Sequence, residues 1–233
     1  MFKNSNFYYI LFISFLILSS CTSEEDDFDD TTDFPSADQF DSAVLVDWFN
    51  LIKVLTTETD GYTPPVAARA FGYTTIALYE AIQVGSNDKI SLSGKLNGLN
   101  IETGYEQGSP YHWPTVANTT LANMTKYFYM NASVDNVTSI LNLEASYKEQ
   151  FLTQINDEVI FRSIEFANQI SGKIVLWSSN DGGYGAQFNN FPSDYVPLSG
   201  IEFWKPTAPN QKALLPYWGN NRHLYRLTQV MLC

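Results

Sequence analysis

The sequence predicts an all-α fold, a helical bundle that carries long aromatic loops. Between about residues 40 and 177, apolar side chains recur at three- and four-residue spacing in five separate segments. Prolines stand at the openings of two of those segments, where a missing amide costs nothing. After Ser178 the periodicity stops, and the chain becomes a run of aromatics, glycines and prolines. No internal repeat of the helical-solenoid kind is present.

The first helix is placed near residues 40–57, where Val44, Trp48, Ile52 and Leu55 form one apolar stripe. Weak helix formers from Thr56 to Gly61 close it. Thr63-Pro64-Pro65 opens the second helix, which is apolar on nearly all sides. Val66, Ala70, Tyr73, Ala77 and Ala81 lie on one face, and Ala67, Phe71, Leu78 and Ile82 on another. This helix is expected to sit deep in the domain. Residues 85–112 are rich in glycine, serine and asparagine and read as loop, with room for a short hairpin. Trp113-Pro114-Thr115 starts the third helix, in which Ala117, Leu121, Met124 and Phe128 align. The fourth runs from about Asp135 with Ile140, Leu143, Tyr147, Phe151 and Ile155. The fifth spans roughly 157–177, with Ile160, Ile164, Ala167, Ile170, Ile174 and Trp177 inward and an outer Glu158–Arg162 pair. A last helix is expected to start near Arg222.

The front of the chain has a different character. Lys3 precedes Phe7–Leu18, which is apolar except for Ser14 and too short for a span of about 20 residues. Leu18-Ser19-Ser20-Cys21 comes next and resembles a bacterial lipobox. Residues 1–20 are thus expected to be a lipoprotein signal peptide, and Cys21 the lipid-attachment site. From Thr22 to Asp41 the chain holds nine acids and no base, so residues 21–41 read as a disordered acidic tether. That run resembles the export signal of surface lipoproteins and equally suits a plain solvated spacer. Removing it changes the charge balance. The whole chain carries −12, whereas residues 42–233 hold 12 bases and 16 acids, near −4. No basic stripe exists, which argues against nucleic-acid binding. The expected location is the bacterial cell envelope, at the outer membrane and on either of its faces. With Cys21 acylated, Cys233 is left as a lone thiol.

Candidate chemistry is sparse. His112 and His223 are the two histidines and have no metal-ligand spacing. Gly182-Gly183-Tyr184-Gly185 lacks the strand and the lysine-serine pair of a phosphate loop and reads as a turn. Ser193 and Ser199 do not sit in a nucleophile elbow. Asn118, Asn123, Asn131 and Asn136 open N-x-Ser/Thr sequons and read as incidental helix-surface residues. The segment from Phe203 to Gly219 reads as a rigid, proline-pinned loop packed over the helical core, where it would be able to roof a pocket.

Two stretches resemble a family. Thr63-Pro64-Pro65-Val66-Ala67-Ala68-Arg69 through Leu78-Tyr79-Glu80-Ala81 is similar to an early helix of bacterial vanadium-dependent haloperoxidase-like proteins, with Glu80 where aspartate is common. Trp204-Lys205-Pro206-Thr207 and Pro216-Tyr217-Trp218-Gly219 are similar to that family's Trp-x-Pro-Thr and Pro-x-Trp-Gly loop. The resemblance covers about residues 42–222. It marks Pro64, Pro65, Arg69, Trp204, Pro206, Thr207, Pro216, Trp218 and Gly219 as structural motif positions.

The resemblance implies an all-helical fold and an active site shared with phosphatidic-acid-phosphatase-type acid phosphatases. There a lysine, two arginines, a glycine amide, a serine and two histidines surround vanadate or phosphate, a preorganised cage for an oxyanion. The family's Lys-x6-Arg-Pro, Pro-Ser-Gly-His and Ser-Arg-x5-His signatures are not in this sequence. Lys205 is followed by Lys212, Pro192-Ser193 by Asp194, Ser199-Gly200 by Ile201, and Arg222 directly by His223. No catalytic residue carries over. The expectation is the N-terminal half of a haloperoxidase-like or phosphatase-like lipoprotein, truncated, frameshifted or partial, and inactive as given. Vanadate is expected only for the full-length family, and no cofactor for this chain. A small-molecule substrate is expected only where the catalytic half is present. The membrane, through the lipid, is the expected partner. The alternative is a non-catalytic envelope lipoprotein that captures glycans or peptides, for which 5 Trp and 14 Tyr supply stacking surfaces.

Overall fold

The computed structural model describes residues 35–102 and 104–225. The signal segment 1–20, Cys21, the run up to Phe34, and Cys233 lie outside the described residues. Five helices form the body, namely α1 (Ala43–Glu58), α2 (Pro64–Ile82), α3 (Trp113–Phe128), α4 (Val134–Leu152) and α5 (Asp157–Ser179). Among the described residues there is no strand, so the 85–112 excursion holds no hairpin. Residues 222–225 are not helical, and residues 226–233 lie outside the described range.

Local chemistry accounts for the helix starts. Pro64 and Pro65 open α2, and Pro114 opens α3 one residue in. Ser133 Oγ accepts from the Asn136 amide at the head of α4, and Asn156 Oδ1 accepts from Glu158 at the head of α5. Asp157 and Glu158 then sit in the first turn of α5, the favourable end of the helix dipole. The outer Glu158–Arg162 pair forms at 2.7 Å.

The predicted α1 stripe is the buried one, with Val44, Trp48, Ile52 and Leu55 all inside. The deepest helix is α3 rather than α2. Twelve of its sixteen residues are buried, and it packs against each of the other four helices. Sequence hydrophobicity pointed to α2, but α3 is enclosed because neighbours surround it, and it buries four threonines and Asn118 in doing so. Asn118 is no surface residue. Its Oδ1 accepts from the Trp48 indole at 2.8 Å and its Nδ2 donates to the Glu144 carbonyl at 3.1 Å, which joins α1, α3 and α4. Asn136 is buried as well, whereas Asn123 and Asn131 are half-buried and bonded to α5 and to the Asp60 carbonyl. In α4 the stripe fades, since Leu143 and Tyr147 are half-buried and Ile155 lies in the turn after the helix.

Two further departures concern the loops. Residues 35–41, assigned above to the tether, are ordered against the body. Ala37 and Phe40 pack on the core, the Pro35 carbonyl accepts from the Trp113 indole, and Asp38 accepts from the Asn87 amide. The 89–101 loop is held by Glu80, which is 0 % exposed and accepts from Ser91 Oγ at 2.7 Å and the Leu92 amide at 2.5 Å. Charge-assisted bonds of this kind explain why a carboxylate is stable so deep in the fold.

Candidate functional site

Thr63 precedes α2 in an extended conformation, and its hydroxyl does not cap the helix. It donates instead to Asn190 Oδ1 at 2.5 Å, while Asn190 Nδ2 donates to the Gly61 carbonyl at 2.9 Å. The Asn190 carbonyl accepts from the Leu215 amide, so one buried asparagine ties the start of α2 to the C-terminal segment. Gly61 is required at this junction. Its φ is +88°, and a Cβ there would stand 2.0 Å from the Gln187 carbonyl oxygen.

Along α2, Arg69 meets Asp181, two residues past the end of α5. Arg69 Nε donates to Asp181 Oδ2 at 2.7 Å, and Nη2 donates to Oδ1 at 3.1 Å and to the Ser178 carbonyl at 2.6 Å. The pair is buried, with side chains 9 % and 4 % exposed. Asp181 Oδ1 also accepts from the Gly183 amide at 2.7 Å. A Cβ on Gly183 would lie 2.9 Å from the Arg69 side chain, so this glycine lets the loop close over the guanidinium. The Gly182–Gly185 turn, judged above not to be a phosphate loop, is thus the lid of an ion pair.

A second arginine completes the cluster. Arg222 donates its backbone amide to the Asp181 carbonyl at 2.7 Å, and its Nη2 to the Trp177 carbonyl at 2.6 Å and Tyr73 Oη at 3.3 Å. Its guanidinium lies 4.8 Å from the Trp177 ring centroid, and that of Arg69 lies 5.2 Å from Tyr73 and 5.4 Å from Phe128. Burial, followed by the Asp181 charge, pushes the Tyr73 hydroxyl up to about 12, so it stays protonated at neutral pH. The cluster thus holds two guanidinium groups and one carboxylate, with Asp181 paired to Arg69 and Arg222 bonded to neutral oxygens.

Two clefts flank this cluster. One, of about 280 Å³, is walled by the Gly182–Gly185 turn, Asp194, Pro216 and Tyr217. The other, of about 240 Å³, is walled by Pro65, Arg69, Tyr73, Arg222 and Leu224. Trp218 and Asn221 line both. The structure therefore brings Pro65, Arg69 and Trp218 to one cleft and places Pro216 in the next. Pro64 is exposed at the head of α2, and Gly219 is exposed beside Trp218. Trp204, Pro206 and Thr207 do not join them. Residues 201–212 are all exposed, Thr207 is bonded to Gln211 alone, and this part of the aromatic loop does not pack over the core. Asp181, Arg222 and Tyr73 were not identified in the sequence as site residues. Their one signal is an aspartate placed between a helix end and a Gly-Gly pair.

The histidines are far from this cluster in chemistry. His112 is 7 % exposed, wedged edge-on between Phe40 and Phe151, with Nδ1 2.8 Å from Thr115 Oγ1. Burial lowers it to about 4. His223 is half-buried and belongs to neither cleft. Among the described residues no group of three His, Cys, Asp or Glu is arranged to hold a metal ion. The described residues do not fit vanadate either. No histidine lines either cleft to ligate vanadium, the Asp181 carboxylate stands on the wall beside Arg69 and Arg222, and Lys205 and Lys212 are exposed in the 201–212 stretch.

No family model matches this chain, and no curated protein does. Among solved structures, a bacterial vanadium-dependent iodoperoxidase is similar, with a TM-score of 0.64 and 23% identity over 79% of this chain. The match covers 43% of that structure, so this chain spans less than half of its length. At that identity the likeness establishes fold alone. Over most of its length, the chain adopts a helical fold that is also found in a vanadium-dependent iodoperoxidase.

Proposed function

We propose that these 233 residues are the helical scaffold of an exported, lipid-anchored haloperoxidase-like protein and do not themselves activate an oxyanion. The observation that carries this reading is the pairing of a haloperoxidase-type fold over 79% of the chain with the lack of all three cage signatures in its sequence. Two features support it. Pro65, Arg69 and Trp218, positions marked by the family resemblance, line one cleft, which suits a role in organising the body. Val196, Leu198, Ile201, Phe203 and Trp204 lie together in sequence and are exposed, with Ile201 at 97 %. Apolar stretches of that kind are normally covered by another element. In this reading the covering element is the catalytic portion of the protein, which lies outside these residues.

The test is direct. The purified chain, supplied with vanadate, peroxide and iodide or bromide, is expected to show no halide oxidation above a protein-free control. It is likewise expected to show no turnover of a phosphate monoester. Halide oxidation that disappears when vanadate is removed would show that these residues form a cage after all.

A further inference from the structure

The buried cluster at Arg69 has a property that scaffolding does not require. Arg69 is paired with Asp181, whereas the half-buried Arg222 guanidinium bonds only neutral oxygens among the described residues, and a charge partly removed from water is costly unless something answers it. Donors are also left over. Among the described residues, Arg222 Nε is buried with no hydrogen-bond partner, and the bonds of Arg69 run through Nε and Nη2. An unmade bond to a buried donor is costly, which favours a small shift of the guanidinium toward an acceptor placed in the cleft. Both arginines line the same 240 Å³ cleft, whose wall is completed by polar Asp181, Asn221 and Tyr73 on one side and apolar Pro65, Ala68, Trp218 and Leu224 on the other.

We propose that this cleft binds a singly charged carboxylate with a small apolar body, held by Arg69 and Arg222. Charge selects the ligand. Either anion stands near Asp181 as a like charge, but a carboxylate brings the cluster to neutrality, whereas a phosphate dianion overshoots it by one charge. Guanidinium groups suit carboxylate oxygens through paired N–H donors. The volume lies below the about 300 Å³ at which drug-sized ligands begin to fit, so the apolar body is small, of the size of one ring or a short aliphatic chain. This assignment does not depend on the scaffold reading, because it rests on the lining of this cleft alone.

Titration of the full chain at fixed ionic strength tests it, with benzoate, benzamide and inorganic phosphate as probes and the Trp218 indole N–H signal as the readout. Benzoate is expected to shift that signal saturably, with benzamide and phosphate each at least tenfold weaker. Arg222→Gln is expected to weaken benzoate at least tenfold. Gly72 lines the cleft, and a Cβ added there meets nothing within 4 Å, so Gly72→Leu has room to enter and extends its side chain into the cleft. It is expected to produce the same loss. The proposal is overturned by a benzoate titration that does not saturate, by benzamide or phosphate binding as tightly as benzoate, or by a folded Gly72→Leu chain that binds benzoate unchanged.

Discussion

His112 stands at the head of α3 with its backbone amide bonded to Ser163 Oγ and its ring enclosed by two phenylalanines. Burial holds its pKa near 4, below the ordinary 6.5. The unfolded chain therefore takes up a proton at this residue before the folded chain does. Stability contributed by the neutral ring is fully present above pH 6.5 and is lost as the pH falls from there towards 4. The loss is on the order of 2–3 kcal/mol by the lower limit. His112→Gln is expected to be less stable than the native chain at pH 7.5, because the aromatic contacts go, yet to lose less further stability between pH 6.5 and 4. Urea melts at pH 7.5 and 4.5 measure this. An equal acid loss in both proteins would move the responsible group elsewhere.

At the scale of elements, two glycines with opposite surroundings show what holds the body to its C-terminal segment. Gly61, between α1 and α2, has a positive φ and touches the Gln187 carbonyl. Gly172 lies in the middle of α5, exposed, with open space around it. Gly61→Ala is expected to destabilise the protein by several kcal/mol, since both the backbone and the 187–190 contact must move. Gly172→Ala should stabilise by about 0.5–1 kcal/mol through helix propensity. Thermal melts compare the two, and a neutral Gly61→Ala would mean that the 187–190 loop is held by Asn190 alone. All five helices were legible in the sequence, because a packed helix repeats its buried face every three to four residues whatever it packs against. The depth of α3 was not legible, since enclosure on all sides depends on neighbours and not on the helix's own hydrophobicity. The site was less legible still. Arg69 was visible as a motif residue, but its partner lies 112 positions away. No spacing rule connects an arginine on α2 with an aspartate beyond α5. The placement of Arg222 depends on the path of the last loop, which has no periodicity to read.

For the molecule as a whole, charge and membrane chemistry separate along the chain. The region from residue 42 onward is close to balanced, and most of the −12 belongs to the stretch just after Cys21. None of the described helices is long and apolar enough to cross a membrane, so the proposed anchor at Cys21 can be tested separately from the body. A single acyl chain gives marginal, reversible binding, and stable attachment takes two such signals. The acidic run adds nothing to adhesion, because anionic headgroups repel it. With the proposed anchor, retention rests on the lipid at Cys21, which makes one substitution decisive. In a bacterial host, Cys21→Ser is expected to abolish incorporation of a labelled fatty acid and to move the protein from the detergent phase to the aqueous phase. The melting temperature of the body is expected to stay unchanged. A Cys21→Ser chain that still partitions into detergent would place the anchor in an uncleaved Phe7–Leu18 segment instead, and the lipobox reading would fall with it.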